Sequence, residues 1–384
     1  MNKILGPPSY ENWKAALPEK NVLCGFEVPL FTDSHITGEI RDKFGPYQLL
    51  NPVAIQKSNG SITPGIILRV DEYLEISIPE MSRTDDMHYH GGTLQDEIAA
   101  LSSLILGVRL KSGGITRKFN KDEDPRGNPV LFELNMNPTL LSSGEKLIIP
   151  EARRTINLKE LDILTTYPTI APEDAITLVK AARIYQDAIW IAESEPELAW
   201  IMFVSAVETA ANRWSTMEAT PVEKLRTSKP DLKKVLFDLG GEKHVKNVAE
   251  LIVPYMGATK KFIDFLLEFL PSPPVNRPRE SFQHSWEVGE IKKSLKKIYE
   301  YRSATLHGGN TFPAPMCFPP EIINNIPSEV LTGLATATKG GVWTKEDTPI
   351  LLHTFEYIVR GALLRWWSSL IHSHHYDICV RTKI

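Results

Sequence analysis

The chain has 384 residues, of which 42% are hydrophobic and 23% are charged, and its formal net charge is -4. This composition is typical of a globular protein, and the length leaves room for two domains. The small negative charge argues against bulk electrostatic attraction to nucleic acid, so any RNA contact has to come from a local basic surface.

The three cysteines, Cys24, Cys317 and Cys379, are odd in number and far apart in the sequence. They indicate neither a disulfide framework nor a CxxC metal site, and a reducing cytoplasm is the natural interpretation. The first residues contain no apolar run of signal-peptide length, and no segment reaches the roughly 18 apolar residues of a membrane span. We therefore expect a cytoplasmic protein that makes no membrane contact.

Residues 1–168 alternate between short apolar runs and turns of glycine, proline and asparagine, which predicts an α+β domain. We expect this domain to have a recognition or regulatory role, although the pattern itself does not indicate it. One helix is predicted in it, because Leu94, Ile98 and Leu101 fall on one helical face after a plausible N-cap at Thr93. The predicted strands are 22–31, 53–56, 65–70, 73–78, 130–135 and 146–149.

His88 and His90 are the chemically suggestive residues of this half. Two histidines at i and i+2 on a strand can bind a metal ion, but the sequence offers no matching third ligand. A polar loop before the helix is the favoured interpretation. A metal-dependent enzyme centred on these two histidines stays an alternative.

Residues 169–384 predict an all-α bundle. Two proline-rich segments, 271–284 and 311–328, predict long loops on either side of one helix, where a loop either lines a cleft or simply connects. The final helix is apolar on more than one side, which suggests a second buried surface such as a dimer interface. The predicted helices are 173–193, 196–214, 230–238, 244–254, 258–270, 286–307 and 347–372.

The helix predicted at 286–307 carries an arginine and a histidine near its end. Arg302 continues the apolar stripe of the helix, and His307 is followed by two glycines, which suit a helix C-terminus. Imidazole exchanges a proton near neutral pH and guanidinium binds phosphate oxygens, so the pair suits cleavage of a phosphodiester by its own 2′-hydroxyl. Residues five apart on a regular helix point about 140° away from each other. The pair therefore converges only if the helix unwinds at 306–308 or if a second chain completes the site.

The segment RSATLH, from Arg302 to His307, resembles the R-x4–6-H motif of the HEPN superfamily. The glycines after it, with Tyr299 and Tyr301 before it, are similar to the Apea-like group of that superfamily. The run PELAWIMFVSAVETAANRW resembles the preceding HEPN helix, which carries one internal glutamate, here Glu208. The resemblance covers about 170–384. Many active members have Asn, Asp or His directly after the arginine, whereas this chain has Ser303.

The resemblance implies an endoribonuclease that needs neither a metal ion nor another cofactor. His307 would act as general base or acid, Arg302 would stabilise charge on the phosphate, and Glu208 would orient the guanidinium, with Ser303 beside them. The resemblance further implies a homodimer that pairs two bundles, and a role in bacterial antiphage defence through abortive infection or in toxin-like growth arrest. A phage-derived or protein trigger would act at the N-terminal domain.

Each of these residues also has a purely structural interpretation. Arg302 and Glu208 also suit a structural ion pair, although Arg213 and Lys180 are equally plausible partners for Glu208. His307 also suits a cation stabilised by the helix dipole. A catalytically silent HEPN scaffold that binds RNA, a nucleotide or a protein is the main alternative function. The residues predicted to bind RNA, which equally suit a solvated helix face, are Lys292, Lys293, Lys296, Lys297 and Tyr299.

Overall fold

The computed structural model describes residues 6–17, 21–52, 63–74, 82, 84, 90, 92–120, 125–130, 137–140, 146–214, 220–252 and 257–381. An N-terminal α+β region is followed by a helical C-terminal region. In chain order the elements are α1 Pro8–Ala16, β1 Cys24–Thr32, β2 His35–Thr37, β3 Ile40–Phe44, β4 Tyr47–Leu50, β5 Thr63–Glu72, α2 Leu94–Leu106, β6 Lys111–Ser112, β7 Arg117–Asn120, β8 Asn128–Pro129, β9 Thr155–Asn157, α3 Pro172–Ile191, α4 Pro196–Trp214, α5 Pro221–Ser228, α6 Pro230–Ile252, α7 Ala258–Glu268, α8 Val288–Gly308, β10 Ile322–Ile323, β11 Ile326–Pro327, β12 Ala335–Thr338, β13 Gly341–Thr344 and α9 Leu352–Arg381.

The N-terminal region is built on an antiparallel sheet with the strand order β3-β4-β5-β1-β7-β8, and β6 also pairs with β1. The central pair, β1 and β5, places Val28 opposite Leu68, and both side chains are fully buried. A short parallel pair of β2 and β9 lies outside this sheet. The predicted α+β character of the N-terminal region is confirmed.

Individual strand predictions had mixed outcomes. The predictions at 22–31 and 65–70 are confirmed by β1 and β5. The prediction at 146–149 is wrong, because the backbone N–H groups of Ile148 and Ile149 donate to the Glu193 carboxylate, at 2.8 and 3.4 Å, and not to a neighbouring strand. Residues 53–56 lie outside the described residues, as do most residues of the predictions at 73–78 and 130–135.

Helix α2 has the ends that its sequence predicts. The backbone N–H of Thr93 donates to the Asp96 carboxylate at 2.9 Å, which closes the capping box at the N-terminus. Gly107 ends the helix with φ at 64°, a left-handed conformation that glycine adopts without a steric penalty. The predicted helix and its Thr93 cap are confirmed.

The C-terminal region contains every helix that the sequence predicted, together with α5, which it did not predict. Helix α3 packs along α4, and α4 also contacts α7, α8 and α9. The predicted break between two helices at 238–244 corresponds to non-helical backbone at Gly240 and Gly241 within α6. The helical character of this region is confirmed, but its predicted all-α character is not, because two short hairpins, β10–β11 and β12–β13, lie between α8 and α9. Its membership of the HEPN superfamily stays a prediction.

One continuous apolar core joins the two regions, running from Tyr10 in α1 to Trp367 in α9. Tyr167, just before α3, packs edge-on against Trp367 with 6.3 Å between ring centroids. The predicted domain boundary at 168/169 falls just before the last residue of the 3-10 helix Leu158–Thr169, and it stays a prediction.

The large apolar side chains of α9 are buried within the chain. Trp366 and Trp367 are buried, as are Phe355, Ile358 and Leu363. These side chains already pack against the chain's own core, so the apolar character of α9 does not by itself indicate a dimer interface, and the homodimer stays a prediction. Among the described residues, no helix has both the length and the apolar character that crossing a bilayer requires.

Candidate functional site

Helix α8 presents the motif residues on a regular helix. Ile291, Leu295 and Ile298 are buried, as their helical spacing predicts. Gly309 follows the helix with φ at 66°, and its N–H donates to the Ala304 carbonyl. The helix continues to Gly308 and does not unwind at 306–308, so Arg302 and His307 point about 140° apart within one chain.

Arg302 is held by Glu208 from α4. Its Nη2 donates to Glu208 Oε2 at 2.7 Å, and the Tyr299 hydroxyl donates to Glu208 Oε1 at 2.7 Å. Both partners of the ion pair are largely buried, since 19% of the Arg302 side chain and 17% of the Glu208 side chain are exposed. Arg213, the competing candidate partner, instead lies 2.6 Å from Asp174. The structure thus brings together three of the predicted site residues, Glu208, Tyr299 and Arg302.

Tyr299 packs beside the Arg302–Glu208 ion pair. Its ring is buried and lies 5.2 Å from the Phe262 ring on α7, between centroids. Burial, reinforced by the hydrogen bond to the Glu208 carboxylate, raises the pKa of Tyr299 to about 12. The phenol therefore stays protonated at neutral pH and remains a hydrogen-bond donor to Glu208.

The guanidinium of Arg302 keeps unused donor capacity. Its central carbon lies 5.6 Å from the centroid of the Tyr299 ring, which adds a cation–π contact. Its Nε is buried and has no hydrogen-bond partner among the described residues. Glu208 and Tyr299 therefore fix the orientation of the side chain while leaving other N–H groups for a ligand oxygen.

His307 lies apart from these three residues. It occupies the last turn of α8, and its side chain is exposed. Within the described part of the chain its side chain makes no hydrogen bond and no ion pair. The side chain of Ser303, the residue after the arginine, is half-buried and makes no hydrogen bond to any described residue. The structure does not bring His307 to Arg302 within one chain.

The lysines predicted to bind RNA lie on the outer face of α8, and most of them are paired. Lys293 lies 2.7 Å from Glu290, Lys296 lies 3.9 Å from Glu300, and Lys297 lies 2.9 Å from Asp347. Lys292 is exposed and makes no ion pair with a described residue. The local carboxylates thus offset much of the positive charge of this face.

Further cations lie beside Glu208 and come from α7 and α5. Lys261 Nζ donates to Asn212 Oδ1 at 3.1 Å, and Asn212 is one turn beyond Glu208 on α4. Desolvation, with the nearby charge of Lys224, lowers the pKa of Lys261. Lys261 and Lys224 come close together through tertiary packing. The sequence hints at this only in that the first turn of α7 carries no acidic residue.

The alternative of a metal site in the N-terminal region is not tested. His88 lies outside the described residues, and His90 is buried. Within the ranges that the structure describes, no three side chains of the His, Cys, Asp and Glu types are grouped so that they could hold a metal ion.

The arrangement offers two chemical capabilities at one end of α8. The oriented guanidinium of Arg302 can bind a phosphate oxygen, and the exposed imidazole of His307 can exchange a proton with a bound molecule. Comparison with protein-family models, with curated proteins and with solved structures returns no match. The geometry of these residues is therefore the basis on which a function is proposed.

Proposed function

We propose that the chain is a HEPN-type endoribonuclease that cleaves RNA without a metal ion. One observation carries this proposal: Glu208 and Tyr299 orient Arg302 through two hydrogen bonds of 2.7 Å, one turn before an exposed histidine. The resemblance of 302–307 to the R-x4–6-H motif supports the same conclusion.

In the proposed reaction the 2′-hydroxyl of the substrate attacks the adjacent phosphorus. His307 accepts the hydroxyl proton as the 2′-oxygen bonds to phosphorus. The bond between phosphorus and the 5′-oxygen of the next nucleotide breaks, and that oxygen takes a proton from solvent water. Arg302 stabilises the charge that develops on the non-bridging phosphate oxygens. The products are a 2′,3′-cyclic phosphate and a free 5′-hydroxyl. DNA lacks the 2′-hydroxyl and is not a substrate.

Glu208 and Tyr299 act as positioning residues in this scheme. An arginine side chain has many rotamers, and fixing one of them before the substrate binds lowers the entropic cost of reaching the transition state. Glu208 uses one carboxylate oxygen for Arg302 and the other for Tyr299, so its own orientation is also fixed. Ser303 follows Arg302 on α8, about 100° further around the helix.

A homodimer follows from the angle between the two motif residues. Because Arg302 and His307 point about 140° apart on a regular helix, one chain does not converge them on one phosphate. We propose that two helical regions pair so that Arg302 of one chain and His307 of its partner share a cleft. A role in antiphage defence or growth arrest, with a trigger acting at the N-terminal region, rests on the resemblance.

The test is cleavage of total RNA and tRNA by the purified protein in EDTA, followed by identification of the product ends. We expect products ending in 2′,3′-cyclic phosphate, and we expect none from Arg302→Ala or from His307→Ala. An inert wild-type protein that also causes no growth arrest when overexpressed in cells would overturn the proposal.

A silent scaffold is the second candidate, and two observations favour it. The regular course of α8 separates Arg302 from His307 in one chain. Carboxylates offset Lys293, Lys296 and Lys297, which weakens the basic surface that RNA would require. A scaffold would bind RNA, a nucleotide or a protein without cleaving RNA.

A further inference from the structure

A cleft of about 600 Å³ lies between the N-terminal region and α9, and neither Arg302 nor His307 lines it. The cleft is lined by the C-terminal end of α2 with Arg154 and by the part of α9 that carries Glu356 and Arg360. The remaining walls come from the segments just before and just after α8, around Asn276 and the β10–β11 turn. The volume lies within the range of sites that bind small organic ligands.

Two guanidinium groups lie side by side in this cleft. Arg154 Nη2 donates to the Leu106 carbonyl at 2.8 Å, and Arg360 Nη1 lies 3.4 Å from the Ile105 carbonyl. These carbonyls are consecutive at the end of α2, so the two arginines are neighbours. Two adjacent guanidinium groups match the several oxygens of one phosphate group.

Arg360 has few acceptors for its five N–H donors. Its one hydrogen bond within the described residues is the long contact to Ile105. Its Nε lies 3.4 Å from Glu356 Oε1 but is buried and makes no hydrogen bond. Its Nη2 makes no hydrogen bond to a described residue and is not buried, so it remains available to donate to an anion in the cleft.

Carboxylates offset part of this charge, because Arg154 Nη2 also lies 3.2 Å from Glu160 Oε2 and Arg360 Nε lies 3.4 Å from Glu356 Oε1. Glu329 is neutralised by Arg277, whose Nε donates to it at 2.7 Å. Burial raises the pKa of the Glu356 carboxyl, which accepts a hydrogen bond from Tyr185. Burial also lowers the pKa of His353 to about 4, so this imidazole is neutral at pH 7. The remaining acid, Glu151, is exposed to solvent.

Side-chain amides line another part of the cleft. Asn324 and Asn325 form the turn between β10 and β11 with φ at 53° and 64°, a conformation that asparagine tolerates better than most residues. Asn276 lies in the facing segment and is exposed. Amides both donate and accept hydrogen bonds, which suits the polar edge of a heterocyclic base.

We propose that this cleft binds a phosphate-bearing small molecule of nucleotide size, with its phosphate between Arg154 and Arg360 and its polar ring edge at the Asn324–Asn325 turn. The site does not depend on the nuclease proposal, because it uses different residues. A ligand held there contacts the segment that precedes α8 in the sequence and the segment that follows it.

Calorimetric titration of the full chain with AMP, GMP, CMP, UMP and inorganic phosphate, each separately, tests the proposal. We expect at least one of the nucleotides to bind, and to bind more tightly than inorganic phosphate. Arg154→Met and Arg360→Met should each raise its Kd about 10- to 100-fold, since each removes charge-assisted hydrogen bonds. Arg153→Met and Arg365→Met are matched controls, because both arginines are exposed and lie outside the cleft, and they should leave the Kd unchanged.

A further variant covers the case in which loss of Arg154 or Arg360 unfolds the protein by uncapping α2. Asn276→Asp adds a negative charge at an exposed position and should raise the Kd about fivefold. The proposal is overturned if none of the nucleotides binds at millimolar concentration, if inorganic phosphate binds as tightly as they do, or if the two control variants weaken binding as much as the cleft variants.

Discussion

The ion pair between Arg302 and Glu208 should contribute measurably to stability. A charge-assisted hydrogen bond of this kind is worth about 1.5–3 kcal/mol, and breaking a fully buried pair costs about 3–5 kcal/mol. Because just under a fifth of each side chain is exposed, at 19% and 17%, the lower range applies. We therefore expect Arg302→Met to lower the free energy of unfolding by about 2–3 kcal/mol, since it leaves the Glu208 carboxylate poorly compensated.

A double-mutant cycle isolates this interaction. Urea unfolding at pH 7 would be measured for the wild type, Arg302→Met, Glu208→Gln and the double variant. The double variant should be less destabilised than the sum of the single variants, with a coupling energy of about 1.5–3 kcal/mol. The exposed pair Lys293–Glu290 is a matched control, because its atoms are also 2.7 Å apart while 75% and 46% of its side chains are exposed.

The control cycle, with Lys293→Met and Glu290→Gln, should give a much smaller coupling energy than the Arg302–Glu208 cycle, because solvent screens the exposed pair. Additivity of the Arg302 and Glu208 variants within about 0.5 kcal/mol would refute the claim that Glu208 holds Arg302. Equal coupling in both pairs would show that burial contributes nothing to the interaction.

Three further predictions concern pH and pairing. Burial raises the pKa of Glu97 from 4.5 to about 7, so the folded state binds this proton more tightly than the unfolded state does. The free energy of unfolding should therefore fall by about 3 kcal/mol as the pH rises from 4.5 to 7. Urea unfolding at successive pH values should show this loss for the wild type and not for Glu97→Gln. Burial lowers the pKa of His353 from 6.5 to about 4, so the free energy of unfolding should fall by about 3 kcal/mol as the pH falls from 6.5 to 4. The same urea measurement should show no such loss for His353→Asn. If the site is shared between chains, mixing inactive Arg302→Ala with inactive His307→Ala should restore part of the RNA cleavage, and a mixture that stays inactive contradicts sharing.

Local sequence signals predicted the parts of the fold that depend on local interactions. The spacing of Ile291, Leu295 and Ile298 identified the buried face of α8, because helical period alone decides which side chains share a face. The residues at 240 and 241, both glycine, placed the break in α6, since glycine carries a large entropic cost inside a helix.

Contacts between distant residues set the remaining features. Glu208 had several possible partners in the sequence, and only the packing of α4 against α8 selected Arg302. The segment 146–149 had the apolar character of a strand, yet its N–H groups bind the carboxylate of Glu193, more than forty residues away. Strand β3 was missed because only its ends, Ile40 and Phe44, are apolar and buried.

Because His307 is exposed, its substitution should change the rate of RNA cleavage without changing the stability of the fold. Exposed residues without partners change stability by about 0.5 kcal/mol or less when substituted, whereas loss of a general acid or base costs about 100- to 10,000-fold in rate. Arg302 does not allow this separation, because its loss also removes a partner of Glu208.

The rate of RNA cleavage in EDTA by His307→Gln, beside wild type and at equal measured stability, tests most directly whether the chain is a metal-independent nuclease. We expect the variant to unfold within about 0.5 kcal/mol of wild type and to cleave at least about 100-fold more slowly. Cleavage by His307→Gln at the wild-type rate would contradict the proposed role of His307 and, with it, the proposed mechanism.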